Sequence, residues 1–302
     1  MTNLQGVYAA ALTPRRGSEL IDQGALWELI DFLCAAHVDG IVLFGSTGEF
    51  VHFSVEERKR VIGLGAKRSR VPLLVNVSHS TLEGSVELAQ AAESCGAAGL
   101  VVLPPYFFHY EQEDLLAFYR VFRREAGVSI PVLLYHIPIF TSPISVDTVK
   151  ILLSEGYAGV KDSSGSWENF LALSDFAAQH PFSFMMGNDA LYTRGRAHGG
   201  LTGVISGVAA ALPELLVALH RAIESGSQEL ITRYDTRLQQ FIARLGSFPV
   251  PAGVREAALA RKLKAGANAV PYSESQKQAA AELRTWLAEW LPEVLKECSH
   301  VL

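Results

Sequence analysis

Several familiar chemistries lack their residues in this chain. Its three cysteines, Cys34, Cys95 and Cys298, are an odd number at no metal-like spacing. Cys34 and Cys95 fall within helical patterns, so they are expected as buried, reduced thiols of a cytoplasmic protein rather than as nucleophiles. The nine histidines form no H-E-x-x-H or H-x-x-E-H pattern, which disfavours a metal-dependent mechanism. No apolar run reaches the about 18 residues that a membrane span needs. The start, MTNLQGVYAA, has no basic segment ahead of an apolar one, so no signal peptide is expected. Charge of one sign is also missing. Twenty-six basic against 31 acidic residues leave −5, without long blocks, which argues against nucleic acid as the main partner but not against small anions. Finally, no G-x-G-x-x-G turn follows the first candidate strand, as a dinucleotide-binding open sheet would require.

What is present is alternation. With 302 residues, 49% of them apolar, the chain has material for a sizeable core. From residue 7 to about 225, short β-rich runs alternate with longer helical patterns. The runs predict strands at Val7–Leu12, Gly40–Leu43, Pro72–Asn76, Gly99–Leu103, Val132–Tyr135, Tyr157–Lys161, Ser183–Met186 and Gly203–Ser206. Most are nearly continuous apolar segments, as suits strands buried on both faces. Ser54-Val55-Glu56-Glu57, Ser145 with Asp147, and Ser166 with Glu168 read as helix starts; Gly96, Gly127 and Gly156 read as helix ends. Eight βα units in succession predict one (β/α)8 barrel over residues 1–226. Residues 227–302 read as a helical extension of three helices, broken at Gly246–Gly253 and Gly266–Tyr272.

In such a barrel the active site lies at the C-terminal ends of the strands. Four strands carry polar groups there: Gly45-Ser46-Thr47-Gly48-Glu49 after strand 2, Tyr135 on strand 5, Lys161 on strand 6, and Asn188-Asp189 after strand 7. Lys161 follows Tyr157-Ala158-Gly159-Val160, so it ends an apolar strand instead of lying on a solvated helix. Taking a lysine out of water favours the neutral amine, the form that attacks a carbonyl; the alternative is a rim lysine reaching into solvent. Tyr135 is placed to move protons or is an interfacial core tyrosine. The Gly45–Gly48 turn offers backbone N–H groups and two hydroxyls to an anion, although an ordinary βα turn uses the same residues. Glu49 reads as holding that loop. Asp162 and His136 each follow a site residue on a strand, so alternation turns both to the opposite face.

Several short motifs occur in order over most of residues 5–275: GSTGEF at 45–50, LPPYF at 103–107, YHIP at 135–138, GVKDSSG at 159–165, GNDA at 187–190 and GVISG at 203–207. Together they resemble the dihydrodipicolinate synthase / N-acetylneuraminate lyase superfamily of Schiff-base lyases. The resemblance implies that Lys161 forms an imine with a 2-oxo acid and that Tyr135 relays protons. It implies that Ser46 and Thr47 hold the substrate carboxylate and that the backbone of Ile205 faces the lysine. It further implies a homotetramer built from dimers, with neither metal nor organic cofactor. Three positions depart from the synthase pattern. Phe140 stands where the synthases carry the arginine that grips aspartate semialdehyde, and Phe107 where they carry a tyrosine lent by the neighbouring subunit, with Tyr106 beside it as a partial substitute. His136 replaces the usual asparagine.

The expected function is therefore a pyruvate-dependent class I aldolase or dehydratase. Its substrate would be a 2-oxo acid such as a 2-keto-3-deoxy sugar acid, 4-hydroxy-2-oxoglutarate or a sialic acid, with Asp189 as an acceptor for sugar hydroxyls. A second reading is dihydrodipicolinate synthase, condensing pyruvate with aspartate semialdehyde. A third, from another class, is a catalytically silent sensor of 2-oxo acids, which Phe107 permits and the retention of Lys161, Tyr135, Ser46 and Thr47 opposes.

Overall fold

The computed structural model describes residues 4–16 and 20–299. Eight parallel strands close into a barrel in chain order. They are β1 (Gly6–Ala10), β2 (Gly40–Leu43), β3 (Leu73–Asn76), β4 (Gly99–Val102), β5 (Val132–His136), β6 (Gly159–Asp162), β7 (Ser183–Met186) and β8 (Gly203–Ser206). Each is followed by a helix: α1 (Gln23–Ala35), α2 (Val55–Arg68), α3 (Leu82–Ser94), α4 (Gln112–Ala126), α5 (Val146–Ser154), α6 (Trp167–Gln179), α7 (Tyr192–His198) and α8 (Pro213–Ser225). This is the expected (β/α)8 barrel. Every residue of the eight strands is buried, which explains why they read as unbroken apolar runs instead of alternating ones. No helix of the described residues is long and apolar enough to cross a membrane.

By internal contacts the chain forms two compact units. The first takes in the residues through Gly6, Ser54–Lys67 and Pro72–Ile205. Its parallel ladder puts Leu134 opposite Val160, Tyr135 opposite Lys161 and His136 opposite Asp162. Its helices begin as predicted: Ser145 Oγ accepts from Thr148 N–H and Ser166 Oγ from Asn169 N–H, at 3.1 Å each. Gly127 ends α4 in the left-handed region (φ 60°), where a side chain would be strained. Several strand limits differ from the sequence reading by one or two residues, those of β5 and β6 among them. β5 runs one residue further, to His136, and β6 begins at Gly159 rather than Tyr157. Tyr157 instead closes α5: its N–H donates to Leu152 O and its hydroxyl to Tyr119 O.

The second unit takes in Val7–Phe53, Arg68–Val71 and the chain from Ser206 on. It holds α8 and the expected C-terminal helices α9 (Gln228–Leu245), α10 (Ala252–Ala260) and α11 (Glu274–Cys298), which pack on α8 and on one another. On α9 the buried residues Tyr234, Leu238 and Phe241 recur at helical spacing. A short antiparallel pair, Arg15–Arg16 with Leu20–Ile21, escapes the sequence reading because two-residue segments are too short to show a period. The cysteine expectation needs correction: Cys298 is buried, but Cys34 is half-buried and Cys95, the last cap of α3, is exposed. A helix pattern fixes which residues share a face, and Cys95 lies past the buried face of α3.

Arg255 on α10 is fully buried, donates to Ala265 O, and pairs with Glu49, the residue that ends the Ser46-Thr47 loop in a left-handed conformation (φ 53°). Burial pulls the Arg255 guanidinium below its ordinary value, and the Glu49 carboxylate opposes that shift. Removing one partner of a buried pair leaves an uncompensated charge, at a cost of roughly 3–5 kcal/mol. Glu49→Gln is accordingly expected to lower folding stability by about that amount, read from the urea midpoint. A change within about 0.5 kcal/mol would show that the pair does not anchor the loop.

Candidate active site

β5 and β6 position Tyr135 and Lys161, the two leading candidates of the sequence reading. Val132-Leu133-Leu134 and Val160 bury these strands, and the ladder then sets Tyr135 beside Lys161. Close packing at the start of β6 depends on Gly159, where an added Cβ would lie 2.1 Å from Ser183 O. Lys161 is 3% and Tyr135 1% exposed, so the rim-lysine alternative is excluded. The Lys161 Nζ lies 3.9 Å from the centroid of the Tyr135 ring. No carboxylate of the described residues pairs with it. A desolvated cation–π contact contributes ~2 kcal/mol, whereas burying an ammonium costs several. The ring therefore does not offset the burial, and this lysine is not there for stability.

The next residue on each strand faces the other way. His136 and Asp162, also register partners, are 2% exposed, and the imidazole Nδ1 lies 3.0 Å from Asp162 Oδ1. Asp162 further accepts from Ser164 N–H (3.0 Å) and Ser164 Oγ (3.1 Å). Alternation predicted where these two side chains point; that they meet depends on strand register, which one strand's sequence does not carry.

A second buried group was missed outright. Arg58 on α2 is fully buried and donates to Ser78 O (2.8 Å) and Asn76 O (2.6 Å), beyond the end of β3. Burial pushes its guanidinium down to about 9, with Tyr106 opposing the shift. Burial raises the Tyr106 phenol and Arg58 draws it back. A signal existed: Arg58, Val61, Ile62 and Gly65 form the buried stripe of α2, so Arg58 sits at a core position of a helical pattern.

The remaining predicted residues occupy segments that follow their strands. Tyr106, half-buried after β4, makes an antiparallel bridge with Thr141 after β5, and Tyr110 N–H donates to Ser142 Oγ at 2.8 Å. This ties the β4 and β5 loops together. Their apolar residues face outward: Phe107 is 87% exposed, Ile139 79% and Phe140 51%. Phe107 also takes a left-handed conformation (φ 82°). Asp189 is half-buried in the turn after β7, where Asn188 Oδ1 accepts from Ala190 N–H. Ile205 is buried on β8. Ser46 and Thr47 belong to the other unit, in the turn after β2, with Thr47 buried and Ser46 half-buried. An added Cβ at Gly48 would press on the Phe44 backbone at 3.0 Å. Among the described residues no group of three or more His, Cys, Asp or Glu side chains could hold a metal ion.

Residues 3–289 match the model of the dihydrodipicolinate synthetase family. A 4-hydroxy-tetrahydrodipicolinate synthase of Bartonella bacilliformis is 29% identical over 84% of this chain and 87% of its own. An uncharacterized DapA-like lyase of Halobacterium salinarum is 31% identical over 87% of this chain and 86% of its own. Among solved structures, YagE of E. coli K12, a prophage protein of the dihydrodipicolinic acid synthase family crystallised with pyruvate, superposes with a TM-score of 0.87 at 26% identity, over 95% of this chain and 98% of that one.

The energetics of Lys161 give a direct test. Lys161→Met removes the buried amino group while keeping an unbranched side chain shorter by that one atom. The variant is expected to unfold at a denaturant concentration equal to or above that of the wild type. A loss of more than about 2 kcal/mol would mean that the ammonium is held by favourable partners, as in broken buried networks.

Proposed function

The chain belongs to the dihydrodipicolinate synthetase family, and on that premise we propose that it cleaves or dehydrates hydroxylated 2-oxo acids through an imine on Lys161. The observation that carries the reading is the buried Lys161 amine against the Tyr135 phenol ring. The Lys161 nitrogen attacks the 2-oxo carbon, Tyr135 supplies the proton with which the carbonyl oxygen leaves as water, and the protonated imine then draws electrons from the neighbouring carbon. In an aldol cleavage the bond between C3 and C4 breaks as the C4 hydroxyl gives up its proton. An aldehyde departs, the enamine takes a proton, and hydrolysis returns pyruvate and the free amine. Ser46 and Thr47 hold the carboxylate through hydroxyls and backbone N–H groups, the Ile205 backbone faces the lysine, and Asp189 accepts from substrate hydroxyls. Tyr106, whose phenol Arg58 acts on, assists proton transfer where Phe107 has no hydroxyl.

Phe140 separates this reading from the synthase reading, which the names of the curated relatives favour. A phenyl ring cannot make the bidentate, charge-assisted bonds that hold a second carboxylate. No arginine occurs in residues 125–190. Loss of such a contact costs roughly 2–5 kcal/mol when the substrate charge goes unpaired, enough to make aspartate semialdehyde a poor substrate. In this reading residues 1–226 form the catalytic barrel of a cytoplasmic enzyme and residues 227–302 a helical extension. Copies of the chain associate, as a homotetramer of paired dimers, over the exposed apolar residues Phe107, Phe108, Ile139 and Phe140.

The reading is tested by screening 2-keto-3-deoxy acids for pyruvate release, with condensation of aspartate semialdehyde and pyruvate run alongside. Efficient cleavage or dehydration and marginal condensation are expected; efficient condensation by the wild type would overturn the assignment. Tyr135→Phe is expected to turn over ~10²–10⁴-fold more slowly, the usual loss for an acid–base group, and near wild-type turnover would assign the proton transfer elsewhere. Phe140→Arg is expected to gain condensation activity.

A further inference from the structure

His136 departs from the asparagine of the synthase pattern, and its partner Asp162 carries no part of the imine chemistry. Both are buried, both directly follow a site residue, and both lie in the same two strands. The consequence is geometric. Tyr135 faces Lys161 on one side of the β5–β6 ladder, and one residue further on, His136 faces Asp162 on the other side. As a carboxylate Asp162 only accepts, so His136 donates from Nδ1, across 3.0 Å. The carboxylate also receives Ser164 N–H and Ser164 Oγ–H, and Ser164 Oγ in turn accepts from the N–H of Ser166, the N-cap of α6. Main-chain bonds continue the ladder at the same level: Ser163 N–H donates to His136 O at 2.8 Å and Gly187 N–H to Asp162 O at 2.7 Å. Asp162 thereby joins β5, β6 and the start of α6 at the point where the strands open into loops. The His136 Nε2, by contrast, is buried without a hydrogen-bond partner. A group that gives up one bond in burial is worth retaining for the other.

We propose that His136 and Asp162 are positioning residues, a side-chain clamp across the ends of β5 and β6 that holds the Tyr135 ring against the Lys161 amine. The clamp touches no reacting atom and acts through the two backbones. This deepens, and rests on, the lyase reading of Lys161 and Tyr135. It also accounts for the choice of side chain. An asparagine amide nitrogen occupies nearly the place of the histidine Nδ1 and offers the same donor to Asp162. The geometry requires the hydrogen bond, not the ring.

The test compares His136→Leu, which keeps bulk without a donor, with His136→Asn, which keeps the donor without bulk. The first readout needs no substrate. In lysine-labelled protein, the Lys161 ε-methylene protons are expected to be shifted upfield in NMR by the Tyr135 ring, with the signal assigned through its absence in Lys161→Arg. His136→Leu is expected to lose most of that shift and His136→Asn to retain it. The second readout is turnover of the 2-oxo acid: kcat falls ~10–100-fold in His136→Leu, of the order a misplacement near 1 Å costs, with KM changed little, and recovers in His136→Asn. A role in packing alone predicts the reverse order, with leucine tolerated better than asparagine. If His136→Leu does not fold, Asp162→Asn replaces it, with a weaker acceptor and an intermediate loss of the shift. An unchanged shift in the folded variant, or asparagine as damaging as leucine, overturns the clamp. Absence of turnover in the wild type would remove the lyase reading, and the NMR comparison would still decide the clamp.

Discussion

The in-register pairing of β5 with β6 is the constraint on which the site depends. It sets a phenol ring 3.9 Å from the Lys161 nitrogen, and burying a lysine head group without a carboxylate partner costs more than a ring contact returns. A lysine in that position is tolerated only where the surrounding strands are stable enough to carry it. Here they are, since every residue of the eight strands is buried.

The loops show a division of labour. The Ser46-Thr47 turn is fixed from behind by Glu49 and Arg255, both buried, in an arrangement whose worth lies in geometry more than in net stabilisation. The β4 and β5 loops are tied to each other by the Tyr106–Thr141 bridge and leave their apolar residues outside. Three non-glycine residues in these loops, Phe44, Glu49 and Phe107, adopt left-handed backbone conformations, which the surrounding structure must enforce. Rigid strands and braced loops together suit a reaction whose imine must form and break without the site being rebuilt.

Much of this was legible in the residues. Lys161 and Tyr135 each end an apolar run, where a rim lysine and a core tyrosine were equally open readings, and it was the ordered set of motifs that singled them out. The barrel itself followed from eight such runs separated by helices with readable caps, Ser145 and Ser166 among them. The strand ends were less legible: Tyr157 looks like a strand residue but closes a helix through its backbone N–H. The His136–Asp162 contact was hidden because it needs two strands and their register. Arg58 was hidden by its neighbours, since a charged residue within Glu56-Glu57-Arg58-Lys59-Arg60 reads as solvated until its helical spacing with Val61, Ile62 and Gly65 is weighed. Cys95 shows the converse error, a residue type that is usually buried sitting at an exposed helix end.

Trapping the imine tests Lys161 as the nucleophile. The protein is incubated with pyruvate and borohydride, which reduces an imine to a stable secondary amine, and digested for peptide mass mapping. A single irreversible pyruvate adduct on Lys161, lost in Lys161→Ala, is expected. An adduct on another lysine, or none at all under conditions where the protein is folded, would contradict it.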